Sequence, residues 1–185
     1  MEQDERTRPD RVKILKLQEA HIAELMTVER ACAEKYYELG FDAAEVPVGS
    51  EQDFYKMPKN HAVRVAEADY KPVGYVAFRD EAPGIVYIED LEVHPDLWRF
   101  GLGRELLGRV AAETRELGLD VVIAKVFVRA EFAREFYHAL GFLPIDDAAP
   151  AAAKEWLTAK QEAAEVYPRP DQQVLWVSAK VLAAE

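Results

Sequence analysis

One cysteine in 185 residues leaves no internal disulfide and no thiol cluster for zinc, so Cys32 reads as a small apolar side chain rather than a catalytic thiol. No metal site is expected. Long apolar runs are missing too, and none approaches the ~20 residues of a membrane span. The opening Met-Glu-Gln-Asp-Glu-Arg lacks the hydrophobic centre of a secretory signal, so a cytoplasmic protein with no membrane partner is expected. Positive charge is in short supply: 23 Lys and Arg stand against 34 Asp and Glu, a net charge of −11. That balance argues against a nucleic-acid partner, whose phosphates need a basic face. It suits an acidic surface that merely keeps a protein dispersed, and also a cationic ligand.

What is present is enough apolar content, 50%, to bury one good core, so a single domain over 12–185 is expected behind a polar arm at 1–11. Val12 to Leu17 alternates as a first strand, and Glu19 to Leu39 has helical period and stops at Gly40. A breaker-rich link, Asp42 to Asn60, holds a short helix around Glu51 to Tyr55. His61 to Glu67, Pro72 to Arg79 and Gly84 to Val93 read as an antiparallel meander. Gly103 to Leu117 is a helix, Asp120 to Val128 a buried β-branched strand, and Glu131 to Leu140 another helix. Pro150 to Glu165 reads as an additional amphipathic helix before a last strand, Gln173 to Val181. It either covers the sheet edge or serves as a substrate lid or dimer contact.

The densest signal is Leu91-Glu-Val-His-Pro-Asp-Leu-Trp-Arg-Phe-Gly-Leu-Gly-Arg-Glu-Leu-Leu107. It runs from a strand through a Pro-marked turn and two spaced glycines into an amphipathic helix. The first N–H groups of a helix have no intrahelical partner and sit at the positive end of its dipole, so small residues there let a phosphate approach the backbone. Gly101 and Gly103 supply that access. A second motif, Ala133-Arg-Glu-Phe-Tyr-His-Ala-Leu-Gly-Phe142, closes a later helix with Gly141 at its C-terminal side.

Together the two motifs resemble the GNAT superfamily of N-acetyltransferases. The matching positions are Leu91, Val93 and Pro95, then Trp98 to Gly103, then Phe136, Tyr137, Gly141 and Phe142. Trp98 stands where that family usually has Gln or Arg, and Ala130 where an Asn often precedes the second motif. The resemblance implies an α/β fold of the acyl-CoA N-acyltransferase type: a mixed, mostly antiparallel sheet with helices on both faces, splayed between the Gly84 to Val93 and Asp120 to Val128 strands. It implies acetyl-CoA as co-substrate, held by Leu91, Glu92, Val93, Arg99, Phe100, Gly101, Leu102, Gly103, Arg104, Ala133 and Phe136. It also implies Tyr137 as the acid that protonates the leaving thiolate.

Acetyl transfer to an amine of pKa near ~10.4 needs a proton acceptor, since the amine is mostly protonated at neutral pH. In Tyr87-Ile-Glu-Asp-Leu-Glu-Val93 the period of two puts Glu89 on one face with Tyr87, Leu91 and Val93, and Asp90 and Glu92 on the other with Ile88. Glu89 among apolar neighbours would be a base of raised pKa, or else the partner of a buried Arg. Tyr-Ile-Glu-Asp also resembles the Tyr-Leu-Glu-Asp segment of the polyamine acetyltransferase branch, which implies Glu89 as base and Asp90 beside the amine. On the first helix Glu29 interrupts an apolar stripe of Ile22, Leu25, Met26, Ala33 and Tyr36, where it would meet either a substrate ammonium or an internal cation. The expected function is N-acetylation of a primary amine on a small cationic molecule by direct attack. Its alternatives are acetylation of a protein α-amine or lysine, and a non-catalytic CoA-binding module. A homodimer is expected from the resemblance.

Overall fold

A computed structural model describes residues 9–164 and 167–183. The strands are β1 (Val12–Lys16), β2 (Ala62–Ala68), β3 (Lys71–Ala82), β4 (Ile85–Val93), β5 (Val121–Phe127), β6 (Leu143–Pro144) and β7 (Gln172–Ser178). The helices are α1 (Ile22–Tyr37), α2 (Glu51–Lys56), α3 (Leu102–Glu116), α4 (Glu131–Ala139), α5 (Ala151–Ala163) and α6 (Ala179–Leu182). The sheet order is β1-β2-β3-β4-β5-β7-β6, mixed and mostly antiparallel, as expected. β4 and β5 are parallel, paired from Ile85 with Val121 to Ile88 with Ala124, and there their ladder ends. Among the described residues no helix is long and apolar enough to cross a membrane.

The described residues form two compact units, one of 9–77 and 90–106, the other of 78–89, 107–164 and 167–183. In the first, α1 turns Ile22, Leu25, Val28, Cys32 and Ala33 inward at helical spacing. Ile22 and Leu25 meet Phe54 of α2 and Val63, Val65, Tyr75 and Ala77 of β2 and β3. Phe54 and Tyr75 lie edge to face at 5.4 Å, and Leu25 is fully buried, so Leu25→Ala would cost about 2–5 kcal/mol. The capping box of Ser50 and Asp53 starts α2 after the breaker-rich link.

In the second unit the core is Ile85, Tyr87, Val121, Ile123 and Val174 from three strands with Ala149, Ala153 and Trp156 from α5 and its approach. The Pro150 to Glu165 helix therefore covers the sheet face that bears Tyr87; Glu165 itself lies outside the described residues, as do most of the 1–11 arm. Val121 to Ala124 are all buried, which is why the strand reads as a continuous apolar run rather than an alternation.

Two expectations change in detail, and one short strand is new. The helix from Glu19 opens with a 3-10 turn, Glu19–His21, and α1 ends at Tyr37. The last strand stops at Ser178 instead of Val181, because the Ser178 hydroxyl accepts from the Lys180 N–H and starts α6. The two-residue β6, too short for any periodicity, pairs antiparallel with β7 at Trp176 and Leu175.

Candidate active site

β4 changes character halfway. Ile85 to Ile88 are buried, whereas Glu89 to Val93 are partly or largely exposed, just where the parallel ladder to β5 ends. After Val93 a 3-10 turn, Pro95–Leu97, forms with the His94 ring accepting from the Asp96 N–H. The Trp98 indole then donates back to the Val93 carbonyl at 2.6 Å. Arg99 and Gly101 both take positive φ, 71° and 90°, before α3 begins at Leu102 with Leu102 and Leu106 buried. An Arg in the left-handed region is uncommon and costs of order 1–2 kcal/mol, so the turn is over-determined by its surroundings. A Cβ on Gly101 would meet nothing within 4 Å, and its backbone is exposed. An open glycine followed by an amphipathic, 15-residue helix fits a pyrophosphate seated on backbone N–H groups. Phe100, Gly103 and Arg104 lie in the same segment, with Arg99 and Arg104 exposed.

Within the same unit, three carboxylates come together. Glu29 of α1 accepts from the Gly49 N–H at 3.0 Å, and Asp90 accepts a short hydrogen bond from the Tyr75 hydroxyl. Burial, reinforced by the negative charge of Asp90, pushes Glu29 up to about 7 against the opposing Gly49 N–H. Glu92 is driven well above the carboxylate range by burial first and by Asp90 next, while the Cys32 thiol opposes this. Tyr75, Tyr36 and Cys32 are all shifted upward, each chiefly by burial and then by Asp90 or Glu92. The strongest charges acting on Glu29 and Glu92 are thus other carboxylates.

This environment was half legible. Alternation along β4 put Asp90 and Glu92 on one face, and helical period put Glu29 on an inward stripe. Glu92 as a third carboxylate and Tyr75 as the partner of Asp90 went unseen, since their meeting depends on how α1 and β3 pack around β4. Glu92 stood only among the cofactor positions, for its backbone.

In the second unit, Glu89 departs from the expected apolar surroundings. It is 47% exposed and ion-paired with Arg79 of β3, whose side chain is itself 29% exposed. The reason is that β4 has left the buried part of the sheet by residue 89, and a guanidinium from the neighbouring strand reaches it. Arg79 also holds Glu81 through Nε at 2.6 Å, and Glu81 in turn binds Lys160 and, at 3.4 Å, the Trp156 indole N–H. The Arg79 guanidinium lies 4.9 Å from the Tyr87 ring centroid.

Tyr137 of α4 is buried, 8% exposed, in edge contacts with Phe136 at 5.3 Å and Phe142 at 4.9 Å. Ala130, fully buried, occupies the N-cap of α4 without a side-chain bond. The Ala133 N–H bonds to its carbonyl at 3.1 Å. Leu91 and Val93 are partly buried in β4.

Comparison with known proteins gives one family. The model of the acetyltransferase (GNAT) family matches residues 22–142, while a search of curated proteins finds no match. Among solved structures, the PaiA N-acetyltransferase from Thermoplasma acidophilum, solved with coenzyme A, is similar with a TM-score of 0.70 at 14% identity, over 91% of this chain and 99% of that one. The ribosomal-protein-S18-alanine N-acetyltransferase from Escherichia coli is similar with a TM-score of 0.63 at 17% identity, over 91% and 94%. An acetyltransferase from Thermus thermophilus gives 0.64 at 16% identity, over 93% and 99%. These likenesses show the fold, and the motif carriers Leu91, Pro95, Gly101, Gly103, Tyr137 and Phe142 all fall inside the matched residues: the chain belongs to the GNAT acetyltransferase family.

Proposed function

We propose that this acyltransferase moves an acetyl group from acetyl-CoA to a primary amine on a small cationic molecule. The observation that carries the reading is the meeting of Glu29, Asp90 and Glu92, in which the charges acting most on Glu29 and Glu92 are those of other carboxylates. An alkylammonium among clustered, half-buried carboxylates offsets their mutual repulsion. Glu29, near 7, becomes a full anion just above neutral pH, so its pull on the ammonium strengthens through that range.

Acetyl-CoA supplies an activated thioester and a thiolate leaving group. The backbone from Phe100 to Arg104 seats its pyrophosphate, and Leu91, Glu92 and Val93 of β4 offer main-chain groups to its pantetheine and thioester carbonyl. Ala133 and Phe136 complete the cofactor residues. Glu89 takes the proton of the attacking amine, and the Tyr137 hydroxyl returns one to sulfur. Positioning and preorganised N–H donors supply most of the acceleration, so neither side chain alone accounts for the rate.

The test is thermal shift with acetyl-CoA, followed by thiol release across polyamines, amino acids, aminoglycosides and lysine peptides. Stabilisation with thiol release on a polycation supports the reading. Release only on a peptide α-amine or lysine moves the substrate class to proteins. Stabilisation without turnover on any amine favours a CoA-binding module, and no stabilisation overturns the phosphate cradle.

A further inference from the structure

We propose that Arg79 is a positioning residue for Glu89, and that helix α5 sets its hold through Glu81. The inference rests on the reading of Glu89 as proton acceptor, and it gives the additional helix a part in the chemistry. Arg79 lies between two carboxylates, its Nε on Glu81 at 2.6 Å and its terminal nitrogen on Glu89. Glu81 is the fixed end of this relay, with its side chain only 9% exposed. Both Lys160 and the Trp156 indole, from neighbouring turns of α5, hold its Oε1, which leaves Oε2 for Arg79. Trp156 is itself buried against Tyr87 at a centroid distance of 5.8 Å, and Tyr87 carries the Arg79 guanidinium on its ring. A guanidinium is planar, so fixing its Nε edge and one face dictates where the remaining nitrogens point. They point at Glu89, a half-exposed strand residue that would otherwise sample several rotamers.

The groups that act on Glu89 come from every neighbouring element. Arg79 faces it from β3, Tyr87 from its own strand, Lys125 from β5, and Tyr167 from the segment after α5. Arg79 holds the carboxylate directly. Lys160 acts on it at one remove, because Glu81 without Lys160 competes harder for the same guanidinium. Losing either cation therefore loosens Glu89 from the place in which the guanidinium holds it.

The experiment measures kcat and the KM for acetyl-CoA separately in Arg79→Met and Lys160→Met, with melting curves beside them. The expected result is a fall in kcat of about tenfold in Arg79→Met and a smaller one in Lys160→Met. Lys160→Arg restores the parent kcat, and KM for acetyl-CoA stays within about twofold in all three. A purely structural latch would lower stability without moving kcat. An unmoved kcat in both Met variants overturns the positioning role while leaving the transferase reading intact. Parent-level turnover by Glu89→Gln removes Glu89 as proton acceptor and overturns the proposal from the other side.

Discussion

The Trp98 indole and the Cys32 thiol donate to one oxygen, the Val93 carbonyl, at 2.6 and 3.2 Å. An aromatic N–H thus fixes the end of β4. Trp98→Phe keeps most of the ring and removes the donor. It is expected to lose about 1 kcal/mol of stability in urea denaturation, and to raise KM for acetyl-CoA about severalfold as the strand end loosens.

Glu29 is held near 7, above its value in an unfolded chain. For an acid, a raised native pKa means that ionisation opposes folding: the cost is absent below about 4.5, grows between there and 7, and is complete above. Glu29→Gln is thus expected to raise Tm at pH 8 and to leave it nearly unchanged at pH 4.5. Discounted for a partly exposed carboxylate, the gain is about 1 kcal/mol, or about 2–4 °C, and the same variant weakens binding of the cationic acceptor. Melting curves at the two pH values check the sign.

Two glycines make opposite predictions. A Cβ at Gly74 of β3 would sit 2.5 Å from the Glu92 carbonyl oxygen and 3.1 Å from the Val93 Cα, which are backbone atoms. Gly74→Ala is expected to cost about 1–3 kcal/mol and to displace the Glu92 segment. Gly108, inside α3, has open space, so Gly108→Ala is expected to stabilise by up to ~1 kcal/mol. Chemical denaturation of both variants gives the comparison.

Gly101→Ala meets no clash, yet φ of 90° penalises any Cβ. A cost of about 1–2 kcal/mol at the cradle is expected, read as roughly a tenfold rise in the Kd for coenzyme A by calorimetry.

Tyr137→Phe removes one hydroxyl from a ring wedged between Phe136 and Phe142. Coenzyme A affinity is expected to hold while kcat falls about a hundredfold, as for loss of a general acid. Single-turnover kinetics with a titrated cofactor separates the two.

Periodicity, glycine spacing and β-branched runs are local properties, and they determined most of the strands and helices, the glycine-spaced turn before α3 and the family without any long-range information. Glu29, Asp90 and Tyr137 were legible the same way, as polar groups breaking an apolar pattern or standing in a motif. Ser178 capping a short helix and the two-residue β6 escaped because an end is chosen by a single hydrogen bond or by a neighbouring strand. Tertiary structure alone decided the neighbours of each carboxylate. Glu89 and Glu92 stand on one strand with similar local sequence, yet one meets Arg79 on β3 and the other meets Asp90 and Cys32. Burial and partner charge act through space over a few ångströms, between residues far apart in the chain, and chain order carries no record of that distance.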